Sequence, residues 1–224
     1  MSATQTEIRS RIDRLLEVDP ADRRAFLGTQ YDLGLAWVHF PEGSGGLDAD
    51  RDLQQLVHEA VMAIDGPQPR YDIGYGMAAP TIVAYGTPEQ HDRWLRPMFT
   101  SEEIWCQLFS EPGAGSDVAG LSTRAVADGD EWVVNGQKVW TSNARVARWG
   151  LLVTRTDPKA PKHRGLTYFA IDLNQSGVEI RPLRQLTGQA EFNEIYLTDA
   201  RVAEADRMGD VGDGWRVALT TLMN

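Results

Sequence analysis

Up to about residue 103 the apolar side chains recur at helical spacing, and from about Ile104 the period shortens to two. Ile8, Ile12, Leu15 and Leu16 mark one face of a first helix, with Arg9, Arg11 and Arg14 on its wet side. Asp19-Pro20 ends that run before a second short segment around Ala25 to Leu27. After a glycine-rich turn at Gly43 to Gly46, Asp50 is placed to cap a helix. Its Leu53, Leu56, Val57, Ala60, Val61 and Ile64 form a stripe that plain packing explains. Gly66-Pro67-Gln68-Pro69 breaks the pattern, and Ile73 to Tyr85, rich in small residues, then reads as a buried helix. Gly76 to Ala79 serves either close helix packing or the approach of a bound chain. Thr87-Pro88-Glu89-Gln90 supplies an N-cap, a first-turn proline and a capping-box glutamine for a short helix carrying Trp94 and Leu95.

The period-two region predicts strands over Ile104 to Phe109, Thr123 to Ala127, Glu131 to Val134, Trp149 to Thr154, Leu166 to Leu173, Val178 to Leu183 and Glu191 to Leu197. Asp128-Gly129-Asp130 separates two of them, Asn135-Gly136 is the strongest hairpin signal, and Asp157 to Arg164 reads as a polar, mobile loop. Gly212-Asp213-Gly214 opens a last helix, whose Trp215, Leu219 and Leu222 begin an apolar stripe without a C-cap signal. The fold class expected is α+β and multidomain: an all-α domain over residues 1–103, an antiparallel β-barrel or sandwich over 104–211, and the start of a C-terminal helical bundle over 212–224. The natural protein is expected to continue past Asn224, or to have this helix completed by another chain.

Composition narrows the chemistry. A net charge of -10 and a pI near 4.9 argue against nucleic acid or an anionic membrane surface as partner, so any phosphate must be captured locally. No apolar run is long enough for a transmembrane helix, and Met1 to Leu16 is too charged for a signal peptide, which points to the cytoplasm. Cys106, the single cysteine, reads as a buried filler rather than a nucleophile, and His39, His58, His91 and His163 lack metal-ligand spacing.

The chemistry concentrates in Trp105 to Gly120, where a strand runs into a glycine-rich loop. Pro112 fixes one dihedral while Gly113 and Gly115 permit conformations closed to other residues, so amides can converge on an anion with the Ser116 hydroxyl beside them. The alternative is a plain tight turn. No lysine follows the glycines as in a P-loop, their spacing is not that of a dinucleotide fingerprint, and a strand rather than a helix comes next.

The segment from Leu108 to Asp117 (Leu-Phe-Ser-Glu-Pro-Gly-Ala-Gly-Ser-Asp) resembles the signature of the acyl-CoA dehydrogenase family of flavoenzymes. Asn135 to Ala144 resembles that family's second flavin segment, and Leu186-Thr187-Gly188, Phe192-Asn193-Glu194, Pro41 to Leu47 and Gly86 to Gln90 fit its pattern, so nearly the whole chain is covered. The resemblance implies FAD, with Gln107, Phe109 and Ser110 lining the isoalloxazine, Gly115 and Ser116 at the pyrophosphate, and Trp140, Thr141 and Ser142 covering the other side of the ring. Taken alone, Trp140 reads as a barrel-core or rim aromatic rather than a flavin wall, and it is the joint pattern of Ser110, Gly115-Ser116 and the Trp140 segment that reverses this. Ser116 is also implied as a substrate contact to CoA.

The implied reaction is α,β-dehydrogenation of an acyl-CoA to the trans-2-enoyl-CoA, a step of lipid catabolism such as β-oxidation. Its carboxylate base is expected beyond Asn224, leaving no catalytic residue in this chain, so the chain alone is expected to be inactive. Glu111 takes a structural place in the family. Implied partners are an electron-transfer flavoprotein as acceptor and further subunits, as a homotetramer or a heterotetramer with a homologue. A flavin monooxygenase or oxidase of the same architecture, and a non-catalytic subunit, are the alternatives. Two departures are noted: Ser101 and Asn143 stand where the family commonly has glycine.

Overall fold

A computed structural model describes residues 4–224; the first three residues of the predicted N-terminal segment lie outside it. The chain divides into two compact units, one running to Tyr75 and resuming over Pro88–Glu102, the other made of Gly76–Thr87 and Glu103–Asn224.

The first unit is helical. Helix α1 (Gln5–Leu15) starts where the Thr4 hydroxyl accepts from the Glu7 amide, and it buries Ile8, Ile12 and Leu15 while Leu16 stays out. Helix α2 (Arg23–Asp32) is capped by Asp22, and α3 (Gln54–Met62) follows a tight turn capped by Asp50. Of the predicted stripe on α3, Val57 and Val61 are buried and Ile64 is exposed. These faces meet Phe26, Leu35, Val38 and Leu47 in one core, where each fully buried aliphatic or Phe side chain contributes about 1.5–3 kcal/mol. Helix α5 (Pro88–Phe99) begins at the predicted proline and buries Trp94, Leu95, Met98 and Phe99.

The predicted helix over Ile73 to Tyr85 is divided. A π-turn at Ile73–Ala78 leads into α4 (Ala79–Tyr85), because Pro80 has no amide to continue a regular ladder from the preceding turn. In the second unit the Thr81 hydroxyl of α4 meets Thr221 of α6 (Gly214–Met223) at 2.9 Å, and Thr221 in turn meets the Tyr168 hydroxyl at 2.9 Å.

That unit is built on eight strands: β1 (Trp105–Leu108), β2 (Arg124–Asp128), β3 (Glu131–Ser142), β4 (Trp149–Arg155), β5 (Leu166–Asp172), β6 (Val178–Leu183), β7 (Phe192–Ala203) and β8 (Arg207–Met208). They form one sheet in the order β6-β7-β3-β2-β4-β5-β8, with β1 against β4. The order does not return to its first strand, so the sheet is not a closed barrel, and β1 runs parallel to β4 rather than antiparallel. It curls around a core that includes Leu108, Trp132, Val134, Phe169, Ile171, Ile195 and Val202.

Two irregularities interrupt the β3–β7 ladder. The first replaces the predicted Asn135-Gly136 hairpin: β3 runs straight through this pair, and the β2–β3 turn falls at Asp128 to Glu131 with Gly129 at φ 68°. Opposite Asn135, β7 carries an extra residue, and Asn135 Nδ2 donates to Asp199 Oδ1 while the Asp199 amide donates back to Asn135 Oδ1, each at 3.0 Å. A side-chain amide thus replaces the ladder bonds that the bulge removes. Gly136 is required here because a Cβ would stand 2.7 Å from Thr123 Cα. The second bulge, between Lys138 and Thr141, belongs to the site.

The loop Asp157 to Arg164 is tethered. Arg155 donates to the carbonyls of Ala119, Leu121 and Lys162, and Lys162 pairs with Asp117. Among the described residues no helix is long and apolar enough to cross a membrane.

Candidate functional site

Strand β1 delivers the chain to the glycine-rich loop with Gln107 half-buried and its Nε2 without a partner among the described residues. Phe109 is buried edge-on to Tyr168, ring centroids 5.9 Å apart. Glu111 and Ala114 then exchange both backbone hydrogen bonds, at 3.0 and 3.1 Å, closing a tight turn over Pro112-Gly113. Neither Gly113 nor Gly115 adopts a left-handed backbone, contrary to the expectation from sequence. What they supply is room: an added Cβ at either would meet nothing within 4 Å. The amides of Gly113, Gly115, Ser116 and Asp117 donate to no acceptor among the described residues. The loop therefore presents unused donors on an open face, the arrangement that favours an anion.

The second segment is fastened directly to this loop, since the Val139 amide donates to the Ser110 carbonyl at 2.9 Å. Val139 and Trp140 of β3 oppose the single residue Glu194 of β7, which makes a bulge, and Trp140 takes φ 62°. A tryptophan in the left-handed region costs about 1–2 kcal/mol. The result is a residue 60% exposed, its ring edge-on to Phe192 at 5.9 Å. Trp140 is therefore not a core aromatic. Next to it, Thr141 is buried with its hydroxyl unpartnered among the described residues, and Ser142 is half-buried opposite Phe192. Asn143 follows at φ 62°, and Ser101 has the same value; both departures from glycine thus fall where the backbone is left-handed.

Beneath the two segments lies a buried ion pair. Lys138 Nζ, fully enclosed, donates to Glu111 Oε1 at 2.9 Å, to the Val153 carbonyl at 2.9 Å and to the Phe109 carbonyl at 3.2 Å. Glu111 also accepts from the Ser122 amide and hydroxyl at 2.7 and 2.8 Å and from the Thr123 amide at 2.9 Å. Burial alone would raise the Glu111 carboxyl, but the Lys138 ammonium and these donors outweigh it and hold the pKa at about 2. Burial lowers Lys138 to about 8 against the pull of Glu111, so both partners are charged at neutral pH. Glu111 is thus a fixed structural anion, not a base. Lys138 was not singled out from sequence, although it falls on the inward phase of the alternation that buries Trp132 and Val134. Cys106 is buried and its thiol pushed up by that burial, which leaves it inert.

Residues 2–102 match the profile of the acyl-CoA dehydrogenase N-terminal domain, and residues 106–200 that of the acyl-CoA dehydrogenase middle domain. The chain belongs to the acyl-CoA dehydrogenase family. It is 49% identical over 195 residues to the acyl-CoA dehydrogenase FadE34 of Mycobacterium tuberculosis, covering 86% of this chain and 27% of that protein. With the acyl-CoA dehydrogenase IpdE1 of the same organism it shares 43% identity over 201 residues, 90% of this chain and 52% of that protein. The chain thus spans from about a quarter to about half of the curated relatives it matches. Among solved structures, the ChsE4-ChsE5 complex from Mycobacterium tuberculosis superposes with a TM-score of 0.72 at 31% identity, covering 98% of this chain and 58% of that one. The Tcur3481-Tcur3483 steroid ACAD gives a TM-score of 0.71 at 29% identity, covering 97% and 60%. The order of helices and then sheet is that of the family.

Proposed function

We propose that this chain is the FAD-holding portion of an acyl-CoA dehydrogenase, acting on an acyl-CoA to give the trans-2-enoyl-CoA. The observation that carries the proposal is Trp140, an aromatic kept exposed by a strained bulge whose neighbour Val139 is hydrogen-bonded to the glycine-rich loop. Strain of this kind persists where the surroundings over-determine it, commonly at ligand sites.

The residues present fit the cofactor. Gln107 and Thr141 have unmet hydrogen-bonding capacity, Ser110 and Ser142 bring hydroxyls, Phe109 contributes backbone at the end of β1, Trp140 supplies an exposed aromatic wall, and Gly115 and Ser116 offer free amides on an open face. When bound there, FAD supplies the two-electron acceptor for a hydride from the β carbon of the thioester. The chain's own part is to bind and orient: the loop amides and Ser116 hold phosphate, with Ser116 also at the CoA, and Trp140 with Phe192 shields one side of the ring from water. The α-proton must go to a carboxylate. Glu111 is unsuited, being locked to Lys138, and because the chain spans only about a quarter to half of its curated relatives, we propose that the base lies in a part of the protein outside this sequence.

Because the similar proteins include structures titled as a steroid ACAD and as a two-component complex, we favour an acyl-CoA with a steroid-derived side chain and assembly with a homologous subunit. An electron-transfer flavoprotein as acceptor and a cytoplasmic location accompany this reading. The test is anaerobic titration of the natural full-length protein, purified with its flavin, against fatty and steroid-side-chain acyl-CoA thioesters. Bleaching of the visible flavin band by a thioester is expected. Absence of flavin, or a flavin that no thioester bleaches, would sink the proposal.

A further inference from the structure

The β3–β7 ladder contains two bulges, with an asparagine across the first and another beside the second. At the first, Asn135 bonds reciprocally with Asp199, itself at φ 50°, and that pair takes over where ladder bonds are missing. At the second, Asn193 pairs in register with Thr141, and its Nδ2 donates to the Thr141 carbonyl at 2.9 Å. Only 2% of Asn193 is exposed. A buried amide among ladder residues is costly unless bonded, and because a carbonyl can only accept, the bond to Thr141 fixes which end of the amide is which.

Beyond the ladder itself the bulge has three holds: Val139 turned to Ser110, Phe192 edge-on to the indole, and the Asn193 clamp on the peptide just after Trp140. The first two do not bear on the Trp140–Thr141 peptide. Past Trp140 the ladder resumes at Thr141–Asn193 and Ser142–Phe192, and among the described residues the Asn193 side chain makes the one side-chain bond that adds to this backbone hold on the Trp140–Thr141 peptide; without it the bulge is freer to relax toward an ordinary strand that turns the indole. We infer that Asn193 is a positioning residue that keeps Trp140 in its presented conformation. It thereby sets the wall of the flavin site, and that part of the inference rests on the reading above.

The test uses the natural full-length protein with its flavin in four forms: unaltered, Asn193→Asp, Trp140→Gly and the double variant. Asn193→Asp keeps the shape and removes the donor, whereas glycine adopts the left-handed backbone without strain. In otherwise unaltered protein, Asn193→Asp is expected to weaken flavin binding about tenfold, the loss of one buried hydrogen bond, and to speed amide exchange over residues 139–142 by a similar factor. Quenching of flavin fluorescence by the indole should fall with it. In the Trp140→Gly background the same substitution should change flavin affinity less than about twofold, because the residue it acts through is gone.

An equal effect of Asn193→Asp in both backgrounds, or unchanged exchange over residues 139–142, would overturn the inference. Should Asn193→Asp fail to fold, Asn193→Ala replaces it. If both fail to fold alone but fold with Trp140→Gly, the inference stands; failure in both backgrounds means that Asn193 does not act through Trp140 and overturns it. If flavin affinity ignores Trp140→Gly altogether, the flavin reading falls, and the exchange measurement still judges Asn193 by itself.

Discussion

Replacing Lys138 by methionine removes one half of the pair that joins the segment after β1 to β3 and β4 beneath the site. The substitution keeps the length and apolar stem of the side chain, so little cavity is formed, and the loss is electrostatic. Three acceptors lose a donor at once: Glu111, Phe109 and Val153. The Glu111 carboxylate stays buried with only Ser122 and Thr123 to support it. Breaking a buried pair from one side costs about 3–5 kcal/mol. Linkage gives a similar figure: a carboxyl held at about 2 instead of 4.5 represents about 3 kcal/mol of stability at neutral pH. The sign follows from the depressed folded value. That stability is fully present above the unfolded pKa of 4.5 and is lost as pH falls through the folded value of about 2. In Lys138→Met the ammonium's lowering influence is gone and only the Ser122 and Thr123 donors oppose burial, so Glu111 takes up a proton at higher pH and the deficit against the unaltered protein shrinks on acidification.

Urea unfolding of the full-length protein, followed by tryptophan fluorescence at several pH values, measures this. A loss of about 3 kcal/mol at pH 7 that narrows below pH 5 is expected. The double variant Glu111→Leu, Lys138→Met should lose well under the sum of the two single changes. A cost under about 1 kcal/mol, or strict additivity, would refute the account of the pair.

Other outcomes follow from the backbone. Asn143→Val should destabilise by about 1–2 kcal/mol, because a β-branched side chain is placed at φ 62°, while Asn143→Gly should be neutral within about 0.5 kcal/mol; thermal unfolding separates the two. Gly136→Ala should cost about 1–3 kcal/mol by urea midpoint, since its Cβ would lie 2.7 Å from Thr123 Cα, an overpacking that backbone must absorb. Asn135→Ala and Asp199→Ala should each lose about 1 kcal/mol, and the double variant no more than about 1.5, since the two bonds join one pair of residues.

The regular elements were legible where a local period carries them. Helix α1 follows from Ile8, Ile12 and Leu15 at helical spacing, and β4 and β5 follow from short apolar runs between turns. The bulges were not, because each is decided by a partner far along the chain: Asp199 answers Asn135, and Glu194 alone faces both Val139 and Trp140. Asn-Gly in isolation reads as a turn, and only β7 beside it makes it a bulge. Closure of the sheet was equally out of reach, since it depends on strand order rather than on strand content. The candidate residues Ser110 and Trp140 came from motif resemblance, and their linkage through Val139 came from the structure. Lys138 had a local signal, a lysine on the inward phase of β3, whose meaning required Glu111 as its partner.

The central claim is that Trp140 is held in a strained conformation for the sake of a flavin. The most direct measurement compares Trp140→Gly with the unaltered full-length protein in two respects, flavin affinity and the urea midpoint of the flavin-free form. Relief of the left-handed strain should leave the flavin-free protein as stable or more stable by up to about 1 kcal/mol, and loss of the ring should weaken flavin binding about tenfold or more. Unchanged flavin affinity, or a flavin-free protein destabilised by several kcal/mol, would contradict the claim and return Trp140 to a structural role.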